Sequence, residues 1–98
     1  MTTKAEAAWM NNVALLGCVV CHNTGHGFVP CHVHHILKSG RRNGHLNTIG
    51  LCPTHHDSGL NNPQFVSVHP WKREFEKRYG TQAALLKQTR ELICQIAP

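Results

Sequence analysis

The middle of the chain, residues 18–56, reads CVVCHNTGHGFVPCHVHHILKSGRRNGHLNTIGLCPTHH. It begins with the pair Cys18-Val-Val-Cys21 and ends with Cys52-Pro-Thr-His55 and one further histidine. A gap of two residues lets one tight turn direct both side chains of a pair at a single ion, and two such pairs complete a tetrahedral zinc site. The spacing therefore predicts structural zinc bound by Cys18, Cys21, Cys52 and His55. Two buried thiols and an unrelated surface histidine are the alternative.

The composition indicates one small domain stabilised by a metal. The chain has 98 residues, and so short a domain buries too little of its surface to build a large core. Five cysteines and nine histidines supply ligands for a metal staple. Because five is odd, a full set of disulfides would leave one thiol over. We expect Cys31 and Cys94, which lie outside the two pairs, to be free thiols.

Charge and hydropathy limit the classes of partner. Ten Lys and Arg against five Asp and Glu give a net charge of +5, which favours a polyanionic partner, either nucleic acid or an acidic membrane. No apolar run approaches the roughly 20 residues that a membrane span needs. No basic stretch followed by an apolar one stands at the N-terminus, so we expect a cytoplasmic location. Closely spaced cysteines in that compartment more often bind metal than form disulfides.

Apolar spacing and helix-breaking residues predict a mixture of helices and short strands. Thr3 and Glu6 form a capping-box pattern at the start of the first helix. The predicted helices cover residues 3–16, residues 70–79 and residues 82–96. A further helix is predicted to start at Pro53 and to carry His55 and His56. The predicted strands cover residues 33–37 and 48–51, and the segments 18–32 and 38–47 are predicted to be loops.

Apolar side chains recur on one face of each longer helix. These stripes are Trp9, Val13 and Leu16 in the first helix, Trp71 and Phe75 in the helix over 70–79, and Leu85, Thr89, Leu92 and Ile96 in the last helix. We expect Trp71, Phe75, Leu85 and Leu92 to be core residues with no part in a functional site.

Two pairs of adjacent histidines lie within residues 18–56. Neighbours on a strand point to opposite faces, so His34 and His35 can serve as a metal ligand and a base. His55 and His56 lie about 100° apart around a helix, so His55 can complete the zinc site while His56 faces a second ion shared with His34. For a single histidine, a solvated or hydrogen-bonded side chain is the simpler interpretation. The complete set in this order favours a site.

This order of residues resembles the HNH endonucleases, also called ββα-metal or His-Me finger nucleases. The resemblance is carried by Cys18, Cys21, His34, His35, Asn47, Cys52, His55 and His56. His55 stands where family members usually have a cysteine, and Asn47 precedes Cys52 by five residues, as the family's asparagine typically does. The resemblance implies an α+β fold, with one nuclease domain over residues 1–98. Its ββα-metal core would cover about residues 17–60, with zinc knuckles and flanking helices.

A closer resemblance follows this core. Residues 68–81, VHPWKREFEKRYGT, are similar to the phage recombination-enhancement nucleases, which are RecA-dependent HNH enzymes. This similarity extends to about residue 90. It implies DNA as the substrate, a RecA filament as a partner, a link to recombination, and a phage or prophage origin with activity in the cytoplasm of a bacterial host cell.

The HNH resemblance also implies a role for each site residue. His35 would be the general base, and Asn47 would orient it through a hydrogen bond. His34 and His56 would hold a catalytic divalent cation, which is Mg²⁺, Mn²⁺ or Zn²⁺. His69 is a candidate third ligand of that cation, and the alternative is a histidine that merely precedes the next helix.

Basic residues on the predicted turn are candidates for DNA binding. Lys38, Arg41 and Arg42 lie between the two predicted strands, where they either contact the DNA backbone or are solvated. The remaining histidines are interpreted as solvated loop residues: His22, His26, His32 and His45.

Two functions of other classes stay open on the sequence. One is a non-catalytic zinc module that binds DNA or protein. The other is a thiol redox protein built on Cys18 and Cys21, against which the lack of a preceding βαβ pattern argues. A non-catalytic zinc-binding module does not require the histidine pairs and Asn47 together. The endonuclease is therefore the favoured prediction.

Overall fold

The structure, a computed structural model, describes residues 2–96. Within that range the elements follow in the order α1 (Lys4–Leu16), α2 (Val19–Asn23), β1 (His32–His35), β2 (Leu37–Lys38), β3 (Arg41–Arg42), β4 (Thr48–Leu51), α3 (Pro53–His56), α4 (Lys72–Tyr79) and α5 (Gln82–Ile96). The chain is therefore a small α+β domain, as the sequence predicts. Over the same residues, every helix falls short of the length and apolarity needed to cross a bilayer.

An antiparallel pair of strands, β1 and β4, lies at the centre of the domain. His34 is opposite Ile49 and His35 is opposite Thr48. Every residue of β4 is buried, because α1 and α5 both pack against this strand. Gly50 permits the close approach of the end of α1, since a Cβ there would collide with the carbonyl oxygen of Gly17, the residue that follows the helix. Helix α3 follows β4 directly and contacts both strands.

Helix α1 begins with the predicted capping box. The Thr3 hydroxyl accepts the N–H of Glu6 at 3.1 Å, and the Glu6 carboxylate accepts the N–H of Thr3 at 2.9 Å. Farther along the helix, the indole N–H of Trp9 donates to Thr48 Oγ1 at 2.9 Å. These bonds fix the start of α1 and join it to β4.

The loop predicted over residues 18–32 contains a short helix, α2. The Cys18 sulfur accepts the N–H of Cys21 at the start of this helix, and Val19 and Val20 are almost completely buried. A side-chain cap and two buried apolar residues are enough to stabilise one turn of helix, which the Gly- and His-rich composition of the segment concealed.

The loop predicted over residues 38–47 contains a hairpin of β2 and β3. Ser39 and Gly40 join the strands with φ values of 53° and 77°, and positive φ at both positions is what a two-residue type I′ turn requires. The strand predicted over 33–37 therefore ends at His35, and Leu37 belongs to the hairpin.

The core lies between β4 and the helices. Its most deeply buried apolar side chains are Val13, Val19, Val20, Ile49, Leu51, Val66, Val68 and Phe75. Phe75 and Leu85 are buried as predicted. The prediction for Trp71 was wrong: the residue is 39% exposed, because its indole N–H donates to the carbonyl of Gly59 at the surface.

The predicted stripe of α5 is buried only in its first half, at Leu85 and Thr89. Leu92 is only half-buried and Ile96 is 61% exposed. The helix also directs Gln82, Leu86 and Ile93 inward. The inward position of Gln82 has a specific cause, since its side chain contacts a buried histidine of β1.

Candidate functional site

The two short helices α2 and α3 each present one pair of candidate metal ligands. Cys18 caps α2 and Cys21 lies within it, while Cys52 precedes α3 and His55 lies within that helix. All four side chains are buried, with at most 4% of each residue exposed. Because each pair occupies one helical turn, the two turns direct all four ligand atoms to one point.

The separations in this Cys3His cluster match a tetrahedral zinc site. Zn–S bonds of 2.3 Å and Zn–N bonds of 2.0–2.1 Å place two sulfurs about 3.8 Å apart and a sulfur and a nitrogen about 3.5 Å apart. The sulfurs of Cys21 and Cys52 are 3.7 Å apart. The Nδ1 atom of His55 lies 3.7, 3.6 and 3.1 Å from the sulfurs of Cys18, Cys21 and Cys52. The cluster could hold a metal such as zinc.

Burial determines the protonation of this cluster when no cation is bound. It raises the pKa of the Cys18 and Cys21 thiols and lowers the pKa of His55. Burial therefore favours the neutral forms of Cys18, Cys21 and His55. A divalent cation favours thiolates, so binding of the ion should release protons from the cysteines.

Three histidines meet beside this cluster. His34 comes from β1, His56 from α3, and His69 from the segment between α3 and α4. The ring centroids are 5.1 Å apart for His34 and His56, 5.2 Å for His34 and His69, and 5.3 Å for His56 and His69. Each ring offers a nitrogen close enough to the other two to share an ion. The structure thus brings the predicted candidate ligands His34, His56 and His69 together.

Backbone hydrogen bonds position His69 in this triad. The N–H of Val68 donates to the carbonyl of His55, and the N–H of His69 donates to the carbonyl of His56, both at 2.9 Å. The segment before α4 is therefore held along α3. A site that joins residues so far apart in sequence depends on this pairing.

His34 is the buried member of the triad. It is 3% exposed, and burial lowers its pKa to about 4, so the ring is neutral at pH 7. Its Nε2 atom lies 2.7 Å from Oε1 of Gln82. When Nε2–H donates to this oxygen, the lone pair of Nδ1 is left for a cation.

His35 lines the same cleft as the triad. The cleft has a volume of 190 Å³ and is lined by Val33, His34, His35, Leu37, Arg42, His56 and His69. His35 is half-buried, and burial, followed by the nearby Arg42 and His45, lowers its pKa. A neutral ring at the edge of a basic cleft is suited to accepting a proton.

Among the residues that the structure describes, Asn47 and His35 do not form the predicted hydrogen bond. His35 Nε2 instead lies 2.9 Å from Nδ1 of His45. The Asn47 amide donates to the carbonyl of Asn43, and Arg90 donates to its oxygen at 3.5 Å. The backbone of Asn47 also accepts the N–H of Ile36 at 2.9 Å. Asn47 therefore holds the loop that carries His45, and its side chain makes hydrogen bonds to Asn43 and Arg90 and not to His35.

The three basic residues Lys38, Arg41 and Arg42 lie on the β2–β3 hairpin. All three are exposed, and Lys38 pairs with Arg41 across the hairpin. Arg42 also lines the histidine cleft. Positive charge is thus placed next to the candidate site.

Sequence reasoning missed three polar side chains around these histidines. His45 contacts His35, and Gln82 contacts His34. His32 was interpreted as solvated, but its Nδ1 atom lies 3.0 Å from that of His56. A signal for His32 was available, because residues two apart on a strand share a face and His34 is two residues on. Gln82 is 48 positions from His34, and no local pattern connects them.

A family model described as "Recombination enhancement, RecA-dependent nuclease" matches residues 2–94, which is nearly the whole chain. No curated protein gives a significant match.

Proposed function

Because the chain belongs to the recombination-enhancement, RecA-dependent nuclease family, we propose that it is a metal-dependent DNA endonuclease of the HNH type. The family itself implies a nuclease with a link to recombination. The observation that carries the finer proposal is the cleft in which His35 lies beside the triad of His34, His56 and His69. Antiparallel strands followed by a helix hold His34, His35 and His56, as in the ββα-metal core that the sequence resembles.

Two metal sites with different tasks are part of this proposal. The Cys3His cluster would hold a structural zinc, because four protein ligands leave no position open for substrate. His34, His56 and His69 would hold the catalytic divalent cation, and three ligands leave positions open for water and phosphate. A divalent cation bound there would neutralise charge on the phosphate and on the leaving oxygen.

His35 is proposed as the general base. With Nε2–H donated to His45, its Nδ1 lone pair is free to accept a proton from the attacking water. The water oxygen bonds to phosphorus while the bond from phosphorus to the 3′ oxygen breaks, and that oxygen takes a proton from solvent. The products carry 5′-phosphate and 3′-hydroxyl ends. Asn47 contributes indirectly, by holding the loop of His45.

Plasmid nicking tests the proposed function. The zinc-loaded chain is incubated with supercoiled DNA and Mg²⁺ or Mn²⁺, with and without RecA assembled on single-stranded DNA. We expect cleavage that requires the divalent cation and increases with the RecA filament. If the purified chain binds DNA but cuts it under none of these conditions, it is a non-catalytic zinc-binding module.

Gln82 should control the affinity for the catalytic cation. Gln82→Met preserves the length of the side chain but removes the acceptor for His34 Nε2–H, so the imidazole loses its orientation. Loss of such an outer partner typically costs about 10–100-fold in metal affinity. We expect the Mn²⁺ concentration for half-maximal cleavage to rise by this factor, with the rate at saturating Mn²⁺ largely kept.

A matched control is Gln88→Met, since Gln88 makes a hydrogen bond on the same helix but with Asn23 at the surface. It should leave the metal dependence unchanged. Equal Mn²⁺ requirements for Gln82→Met and the wild type would remove Gln82 from the site.

The β2–β3 hairpin should contribute to DNA affinity without sequence preference. A Lys38→Ala, Arg41→Ala, Arg42→Ala variant should make fewer phosphate contacts. Fewer counterions are then released from the DNA when the variant binds. The slope of log K against log salt should become shallower by about 2–3 for three contacts. Fluorescence anisotropy with two unrelated DNA duplexes measures this change.

A charge-matched variant serves as the control. Arg73→Ala, Lys77→Ala, Lys87→Ala removes the same charge from exposed positions on α4 and α5. If both triple variants change the slope equally, net charge and not the hairpin determines DNA binding.

A further inference from the structure

A second group of potential metal ligands lies on the outer side of His56. His32, exposed at the start of β1, places Nδ1 3.0 Å from Nδ1 of His56. The Asp57 carboxylate lies 3.9 Å from the same His56 atom. The ligand atoms of these three residues all lie within 4.8 Å of one another. We call His32, His56 and Asp57 the outer triad, and His34, His56 and His69 the inner triad.

The outer triad has the chemistry of a transition-metal site. Two ligands bound to zinc at 2.0–2.2 Å in tetrahedral geometry are about 3.3–3.5 Å apart, and the observed 3.0 and 3.9 Å lie on either side of this separation. Two imidazoles and one carboxylate form a ligand set that zinc commonly uses. Imidazole nitrogen suits Zn²⁺, Ni²⁺ or Cu²⁺, whereas Mg²⁺ prefers oxygen.

His56 belongs to both triads, and its ring can serve only one of them at a time. Its Nδ1 atom faces His32 and Asp57, so Nε2 is the nitrogen left for the inner triad. A neutral imidazole has one proton and one lone pair. When the lone pair of Nδ1 binds a cation, Nε2 carries the proton and is no longer a ligand.

We propose that the outer triad binds a transition-metal dication such as Zn²⁺ and that this ion takes His56 away from the inner triad. The site is open to solvent, since His32 and Asp57 are exposed. An ion there leaves the inner triad with His34 and His69 only, and its positive charge opposes a second cation nearby. Excess zinc therefore inhibits the cleavage that Mg²⁺ supports. The inhibition rests on the proposed function; the metal site does not.

Nitrogen NMR of the histidine rings tests the site without DNA. One further equivalent of Zn²⁺ is added to the chain whose Cys3His cluster already contains zinc. We expect the Nδ1 signals of His32 and His56 to shift, while those of His22, an exposed histidine outside both triads, stay unchanged. Shifts at His34 and His69 with an unaffected His32 would overturn the outer site.

Cleavage in Mg²⁺ with increasing Zn²⁺ tests the competition. His32→Ala removes a ligand of the outer triad only, and Asp57→Asn weakens the same site. Loss of a residue that only hydrogen-bonds to a metal ligand costs about 10–100-fold in metal affinity. His32→Ala removes a ligand itself, so the half-inhibitory Zn²⁺ concentration should rise at least tenfold. Each half-inhibitory concentration is measured at saturating Mg²⁺ relative to the rate of the same variant without added zinc, and the control His22→Ala should give the wild-type value.

Equal zinc inhibition of His32→Ala and the wild type would overturn the competition for His56. A chain that cuts no DNA under any condition would instead contradict the proposed function, and the NMR titration would still decide whether the outer triad binds zinc.

Discussion

Replacing His35 by alanine should lower the rate of DNA cleavage by about 10²–10⁴-fold, the usual contribution of a general base. The fold and the metal content should not change, because His35 is half-buried at the edge of the cleft and belongs to neither the Cys3His cluster nor the inner triad. Single-turnover nicking of plasmid at saturating Mn²⁺ measures the rate, and circular dichroism and metal analysis check the fold and the metal content.

His34→Ala is the matched comparison for this experiment. It removes a neighbouring imidazole of the same strand, but one that is proposed to bind the cation. Excess Mg²⁺ or Mn²⁺ should therefore restore part of the activity of His34→Ala and none of the activity of His35→Ala, because a cation cannot replace a proton acceptor. If purified His35→Ala cuts plasmid at the wild-type rate, the general base is another residue.

Loss of one cysteine of the Cys3His cluster should unfold the domain. Structural zinc in small peptides contributes apparent binding free energies of about 10–16 kcal/mol, whereas the total stability of a domain is about 5–15 kcal/mol. Cys21→Ser should therefore bind far less zinc and already be unfolded at 25 °C. It should show no cooperative unfolding transition on heating. Mass spectrometry measures the zinc content, which should be about one ion per wild-type chain after dialysis. Circular dichroism during heating measures the unfolding transition.

Cys94→Ser is the control for this substitution, since Cys94 is an exposed free thiol of α5. It should keep both the zinc and the melting transition. Chelation of zinc from the wild type should reproduce the Cys21→Ser result. A wild-type chain that stays folded after its zinc has been removed would show that the apolar core is sufficient by itself.

Those parts of the fold that depend on local patterns could be predicted from the sequence. The capping box of Thr3 and Glu6, the proline at the start of α3 and the two ligand pairs each act over a few residues. Strands close to β1 and β4 were also expected, over residues 33–37 and 48–51 on either side of the polar turn. The spacing that selects Cys18, Cys21, Cys52 and His55 is local within each pair, and so the members of the cluster could be named in advance.

Contacts between distant segments could not be predicted in this way. The stripe predicted for α5 contains Leu85 and Thr89, which are buried, but not Gln82. Gln82 lies inward where it contacts His34 on another element. Likewise, the partner of His35 is His45 and not Asn47, because the conformation of the loop over residues 43–47 decides which side chain reaches the ring. That His69 and His56 meet depends on backbone bonds between α3 and a segment thirteen residues later.

The adjacency of His55 and His56 in α3 couples the Cys3His cluster to the inner triad. One turn of helix carries a ligand of the Cys3His cluster and a ligand of the inner triad, with no residue between them. An insertion between the two positions would rotate the second ring by about 100° around the helix axis, so the cluster would survive and the cleft would lose its ligand. The length of the segment from Cys52 to His56 is therefore constrained by both sets of ligands at once.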